Sequence, residues 1–450
     1  MTRNKNKTCI IGAGPAGLAF ARTLKLKGVD YEQFEATDEV GGNWKHGVYE
    51  TAHIISSKSV TEFKSFPMPD DYPDFPSKNQ MCSYLQSYAE HYGLYKFIEF
   101  NTKVIYCRPI KNNFWEVTLS TGDQRIYENI IICNGHHWAK RFPQFEGTFT
   151  GEYIHSKDFK NPEQFKSKRI LTIGGGNSAC DVASEAARVG ICSDLSMRSG
   201  VWFLPKTIMG KPLTDIEKPY TPLWLQRFLL KLVVRIAYGD YHKDYNLPRP
   251  KDKIFDKHPT LSTEVFHYIK HGRIKVKPNI RRFEGNIVEF EDGTRQEYDM
   301  VVAATGFYLS FPFLSKEIVE NRKDQLIDTY GMSMHLNWRG LYTPSVYQVR
   351  GGVGTMYEPE AEYTVEMMKI QKSFNVPVAK ALQVLGFRPF GKNVLGYNDV
   401  NGLMRSVLKK KNAIISALNT LENSDISHQN EVKSALSMEE EKHFNELTIN

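Results

Sequence analysis

Apolar positions near the N-terminus change period within a few residues. Thr8-Cys9-Ile10-Ile11 is a short continuous apolar run of strand type, and after a glycine turn residues 15–27 are spaced as a helix. A second strand is predicted over 31–35, so the chain opens with a compact βαβ unit. The same succession returns over 169–199. Between them, a helix is predicted over 80–92 because Met81, Tyr84, Leu85, Tyr88 and Ala89 share one face. Strands are predicted over 102–107, 115–119, 129–133, 273–276, 286–290 and 300–303, with Glu291-Asp292-Gly293-Thr294 as a turn, while the proline-rich stretch 66–76 reads as loop.

From 199 to about 260 the pattern is irregular except at 223–238, where Arg227, Lys231 and Arg235 recur every four residues on an otherwise apolar helix. The favoured expectation is a helix packed on the second unit with its cationic stripe in water; peripheral contact with a membrane surface is the alternative. The last forty residues are polar and read as a frayed helix or disordered tail.

These elements predict an α/β protein with two dinucleotide-binding Rossmann-type domains, the second inserted in the first. The expected boundaries are 1–165 and 299–410 for the first domain, 166–298 for the inserted one, and 411–450 for the tail. A length of 450 residues suits two such cores. The net charge of +7 is modest and compatible with phosphorylated cofactors, and no nucleic-acid motif accompanies it. Six scattered cysteines form no C-x-x-C pair, which argues against a dithiol reductase and against a metal site, and favours reduced thiols. No apolar run reaches the roughly 18 residues that span a bilayer. The basic N-terminus does not look like a signal peptide, so a cytoplasmic protein is expected, with a homodimer left open.

Chemistry concentrates at the two glycine turns. Gly12-Ala13-Gly14-Pro15-Ala16-Gly17 is a G-x-G-x-x-G between strand and helix. There Gly12 makes the turn, Gly14 admits a pyrophosphate, and Gly17 packs helix on strand. Glu35 lies where a carboxylate binds ribose hydroxyls, and Gly42 with Trp44 could border a flat ring system. The second turn, Gly174-Gly175-Gly176-Asn177-Ser178-Ala179, has alanine in the third slot. By count, Met197 and then Arg198 stand where the first unit has its carboxylate. A guanidinium there grips a 2′-phosphate, with hydroxyl support from Ser196 or Ser199, and points to NADPH. Two dinucleotides imply hydride transfer from nicotinamide to flavin, hence FAD in the first cradle.

Phe149, Gly151, His155, Ser156 and Phe159 match F-x-G-x-x-x-H-S-x-x-[FY], which resembles the fingerprint of flavin-containing monooxygenases. Related Baeyer–Villiger monooxygenases carry tryptophan where this chain has Phe159. Gly41-Gly42-Asn43-Trp44, Asn134-Gly135-His136-His137 and Ala303-Ala304-Thr305-Gly306-Phe307 agree in order, so the resemblance covers roughly 8–370. It implies an oxidoreductase similar to N,N-dimethylaniline monooxygenases, with His155, Thr305 and Gly306 among the residues around the cofactors. NADPH would reduce FAD, oxygen would form a C4a-(hydro)peroxyflavin beside retained NADP⁺, and one oxygen atom would pass to a small soft nucleophile, an amine nitrogen or a sulfide. One position departs. The family's T-N-x-S-K-like run is His53-Ile54-Ile55-Ser56-Ser57-Lys58 here, with Ile55 in the asparagine slot. Isoleucine donates no hydrogen bond, so Ser56, Ser57 and His53 become the candidate donors. The same departure leaves room for ketone oxygenation or uncoupled NADPH oxidation to hydrogen peroxide.

Overall fold

Two sheets, one mostly and one wholly parallel, organise the chain, and in each a central strand runs into a glycine turn. The computed structural model describes residues 2–3, 7–216, 221–319, 329–349, 352, 354–389 and 394–424. The first sheet runs, in spatial order, Thr329–Tyr330, Met334–His335, Leu341–Tyr342, Asn129–Ile132, Thr8–Ile11, Tyr31–Phe34 and Ile98–Glu99. From Leu341–Tyr342 onward its pairs are parallel. The second sheet, all parallel, orders Glu152–His155, Met300–Ala303, Arg169–Ile173, Cys192–Ser196 and Ile274–Lys277. Strands of the second sheet thus fall in sequence between the two contributions to the first, and the protein is an α/β fold with one Rossmann-type unit nested in the other.

Local sequence explains the supports. The helix Lys78–His91 begins two residues ahead of its predicted start because Ser77 and Gln80 form a capping box. Missing from the sequence reading is the 18-residue helix Gly354–Gln371, which packs on Pro15–Leu26. Its buried face carries Glu358, Glu360, Thr364 and Gln371 beside Met356 and Ala361, and Pro359 lies inside it, so no apolar period shows. The region taken as tail is helical over 411–424, where Ile414 and Leu418, four residues apart, are buried in the main core. Residues 425–450 lie outside the described residues. All six cysteines are free thiols and five are buried.

The helix Leu223–Tyr238 meets the expected orientation only in part: Leu230 and Val234 pack on the protein, but one cation turns inward and part of the apolar surface turns out. Arg227 Nε donates to the Ile254 carbonyl at 2.7 Å and pairs with Asp256, and Lys231 Nζ sits 5.0 Å above the Trp202 ring. Arg227 therefore turns toward protein, whereas Lys231 and Arg235 are exposed, as expected, and share the outward side with Trp224, Phe228, Leu232 and Ile236. Among the described residues no helix is long and apolar enough to cross a membrane.

Candidate functional site

The three glycines of the first turn are constrained in different ways. Gly12 has φ +101°, and a Cβ there would lie 2.5 Å from the Cys133 carbonyl oxygen. A Cβ on Gly17 would lie 2.1 Å from the Gly12 carbonyl oxygen, so helix and strand meet too closely for any other residue. Gly14 is unconstrained by the fold: φ is −74°, and a Cβ would meet only Gly42, at 3.6 Å from its Cα. Both Gly14 and Gly42 line the same large cavity, so this narrow facing gap is where phosphate can approach backbone. Beyond it, Glu35 is held by Ala13 N at 2.7 Å, Thr37 N at 2.9 Å and Thr37 Oγ1 at 2.8 Å. Those bonds leave a carboxylate about one acceptor site for a ribose hydroxyl. Trp44 lines the cavity next to Gly42.

In the second turn Gly174 has φ +135°, and a Cβ there would lie 2.4 Å from the Ala304 carbonyl oxygen. A Cβ on Gly176 would meet nothing within 4 Å, and Gly174, Gly176 and Ser178 line the cavity. Ala179, like Gly17, is buried behind its turn and supports packing without facing the cavity. Arg198 and Ser199 are exposed on the cavity wall just past Cys192–Ser196, and among the described residues Arg198 has no carboxylate partner. Ser196 corrects the expectation of hydroxyl support: it is buried and donates to the Pro278 carbonyl at 2.7 Å. The neighbouring strand end instead brings Asn279 and Arg281 to the wall, which spacing alone did not reveal.

His155 also corrects an expectation. It is fully buried and does not line the cavity. Its Nδ1 accepts from Lys157 N at 3.1 Å and its Nε2 donates to the Gly306 carbonyl at 3.0 Å. Both ring nitrogens are used, and burial holds the imidazole below its ordinary pKa, so it is a neutral clamp. What it clamps is Thr305-Gly306, which does line the cavity. Lys157, beside it, donates to Asn43 Oδ1 at 3.0 Å and the His137 carbonyl at 3.2 Å, and burial brings its ammonium down to about 8.

Of the proposed donors around Ile55, two are already committed. Lys206 Nζ contacts His53 Nε2, which must then accept, and Nδ1 turns toward the Thr51 carbonyl at 3.3 Å. The Ser57 hydroxyl is occupied by Asp215, and Ser57 does not line the cavity. Ser56 does, with its Oγ 2.7 Å from Thr61 Oγ1, also on the wall. Two hydroxyls own two hydrogens and one bond between them uses one, so the pair keeps one O–H to offer. Thr61 was not foreseen, being apart from the recognised run. Ile55 itself packs toward Leu204, Ile254 and Leu261 under Leu223–Tyr238, giving that wall an apolar lining.

One cavity of about 1680 Å³ joins both turns, Glu35, Arg198, Thr305 and the Ile55 loop. Both cradles suit a dinucleotide: each offers a cavity-lining glycine at a helix N-terminus, and their ribose ends carry opposite charge. Among the described residues no group of three or more His, Cys, Asp or Glu could hold a metal ion.

Comparison with known proteins agrees in kind. The family described as Flavin-binding monooxygenase-like matches residues 5–382. Over 348 residues the chain is 31% identical to Flavin-containing monooxygenase 5 of Oryctolagus cuniculus, covering 70% of this chain and 65% of that protein. The chain therefore spans just under two thirds of that curated relative's length. Flavin-containing monooxygenase from Stenotrophomonas maltophilia superposes with a TM-score of 0.62 at 19% identity, over 81% of this chain and 98% of that one. S-allyl-L-cysteine S-oxygenase from Allium sativum gives 0.61 at 17% identity, over 89% and 88%. At such identities the two structures speak for the fold.

Proposed function

The chain belongs to the Flavin-binding monooxygenase-like family, and on that premise we propose that it is an FAD-containing, NADPH- and O2-dependent monooxygenase acting on a small soft nucleophile, an amine nitrogen or a sulfide sulfur. The observation that carries this reading is the single cavity shared by the two cradles. Hydride transfer needs nicotinamide and flavin in contact, and separate pockets would forbid it. FAD would lie on Gly12, Gly14 and Glu35 with Gly42 and Trp44 at its flank; NADPH would lie on Gly174, Gly176 and Ser178 with Arg198 and Ser199 at its 2′-phosphate. Bound there, FAD would supply hydride acceptance from NADPH and activation of oxygen.

The chain's own residues have three tasks. Gly14 and Gly176 let backbone N–H groups reach phosphate. His155 fixes the Thr305-Gly306 turn, and so the seam between the domains. Around Ile55 the apolar wall excludes water, while the Ser56–Thr61 pair keeps one O–H for oxygen at the reacting centre. That remaining donor favours oxygen transfer over peroxide release, although Ile55 supplies none. The test is to measure NADPH consumed against product and hydrogen peroxide with amines, sulfides and ketones. Coupled amine or sulfide oxygenation supports the reading. Ketone products alone, or peroxide equal to NADPH with every candidate, would replace it with the Baeyer–Villiger or oxidase alternative.

A second reading concerns where the protein works. Trp224 is 69% and Ile236 78% exposed, with Phe228 and Leu232 between them on one face, and Met209 is 96% exposed. Tyr238 Oη donates to the Thr207 carbonyl at 2.9 Å, which brings the turn carrying Met209 beside the helix. A contiguous bare apolar face of this kind suits peripheral contact with a membrane surface. Co-flotation with lipid vesicles that is lost in the W224E/F228E double variant is expected; a wild-type protein that never floats would end this reading.

A further inference from the structure

At the seam between the cradles, segments distant in sequence gather titratable side chains around one carboxylate. Asp181 stands on the cofactor helix Asn177–Val189 and lines the cavity. From the flavin-side loop, Tyr49 Oη donates to Asp181 Oδ2 at 2.5 Å. Burial pushes the Asp181 carboxyl up and Glu264, from the helix Glu264–Lys270, adds to that, while the ammonium of Lys206, itself in contact with His53, acts the other way. On its own helix the neighbouring thiol of Cys180 is buried and neutral. Among the described residues nothing donates to Oδ1.

Position gives this carboxylate a task. It lies five residues beyond Gly176, a rise of about 7.5 Å from the end where the pyrophosphate is cradled. Two phosphate charges at that distance disfavour an ionised carboxylate in a protein surround. The overall reaction, NADPH + H⁺ + O2 + substrate → NADP⁺ + H2O + oxygenated substrate, consumes one proton. Hydride carries two electrons and one hydrogen; the second hydrogen of the water is that proton.

We propose that Asp181 takes up a proton at Oδ1 when NADP(H) binds, and that the Asp181–Tyr49 pair is the proton store of the reaction. The inference rests on NADPH occupying the second cradle. Dinucleotide binding and proton loading then become one event, and the store fills only when reductant is present. Tyr49, by donating to Oδ2, favours the ionised form and opposes the burial that already raises this carboxyl, so the dinucleotide's charge adds to a rise that the fold has begun.

The test is calorimetric titration of the FAD-loaded protein with NADP⁺, in two buffers of different ionisation heat, across pH 6 to 9. Their difference counts protons. About half to one proton taken up per NADP⁺ near neutral pH is expected, as for a carboxyl whose pKa rises through that range on binding. D181N should bind NADP⁺ with no uptake, and H53Q should retain uptake. Y49F should move the uptake maximum to higher pH, because the O–H that favoured the ionised form is gone; it decides the matter should D181N not fold. A merely structural clasp would change affinity and leave the proton count alone. Uptake that persists in D181N, or binding to wild type with no uptake, overturns the inference while the functional reading stands. Failure of NADP⁺ to bind overturns both.

Discussion

Replacing Gly14 by alanine should separate cofactor binding from folding, and replacing Gly17 should not. At Gly14 the backbone has φ −74° and an added methyl meets only the Gly42 Cα, at an ordinary 3.6 Å. Apo G14A should therefore match wild type within about 0.5 kcal/mol, the usual range for a substitution that disturbs no packing. The same methyl fills the gap through which phosphate reaches backbone N–H groups. Losing one charge-assisted bond of that kind costs about 1.5–3 kcal/mol, or roughly 10- to 100-fold in FAD affinity. At Gly17 the methyl would stand 2.1 Å from the Gly12 carbonyl oxygen and 3.0 Å from Gln33 Nε2. Helix and strand must move apart, at a cost of about 3 kcal/mol, which lowers the melting temperature by roughly 6–12 °C for a domain of this size. Thermal melts of the apo proteins and FAD titration by fluorescence quenching read the two effects separately. FAD binding by G14A at wild-type strength would refute the placement of the pyrophosphate, and an unchanged melt for G17A would refute the close-packing argument.

Other changes probe the remaining parts. R198A should weaken binding of NADP⁺ by about 10- to 100-fold, the worth of a charged hydrogen bond, and leave NAD⁺ binding unchanged; equal losses for both would remove the 2′-phosphate role. S56A/T61V strips the last O–H from the Ile55 wall, so the hydrogen peroxide released per NADPH should rise severalfold while the rate of flavin reduction holds. Glu360 is fully buried, bonded to Tyr347 Oη at 2.8 Å and Ser345 Oγ at 3.0 Å, and burial pushes its carboxyl up to about 7. Because the folded state then holds this proton more tightly than the unfolded one, its contribution to stability is complete below about pH 4.5 and is lost as pH rises through 7, by up to about 3 kcal/mol. E360Q should remove that loss, so denaturant titrations should show the variant gaining on wild type between pH 5 and 8; a constant difference would contradict the burial argument.

How much of this was written plainly in the sequence depended on whether function sits in consecutive residues. Both glycine turns, Glu35 and Arg198 could be placed because strand, turn and helix fix their spacing. Gly17 was legible as the glycine that lets helix pack on strand, and the buried place of Ala179 behind its turn emerges from packing. His155 was legible as a motif residue and not as a clamp, since its partner Gly306 is 151 positions away. Tyr49, Asp181 and Lys206 escaped because no period links them; their meeting depends on the inserted sheet docking against the flavin-side loop. Asp181 could have been flagged as a carboxylate four residues after Asn177, on the same face of the cofactor helix. The outward turn of the apolar stripe on Leu223–Tyr238 was hidden for another reason: amphipathicity defines two faces and leaves open which one meets the protein.

The central claim, that two cradles opening on one cavity serve oxygen transfer, is tested most directly by isotope. FAD-loaded protein would be supplied with NADPH and ¹⁸O2 in the presence of amine and sulfide substrates, and the product analysed by mass spectrometry. The account predicts one ¹⁸O atom in the N- or S-oxygenated product for each NADPH consumed, with little label in hydrogen peroxide. NADPH consumption whose label appears only in peroxide, with no oxygenated product from any amine or sulfide, would contradict it.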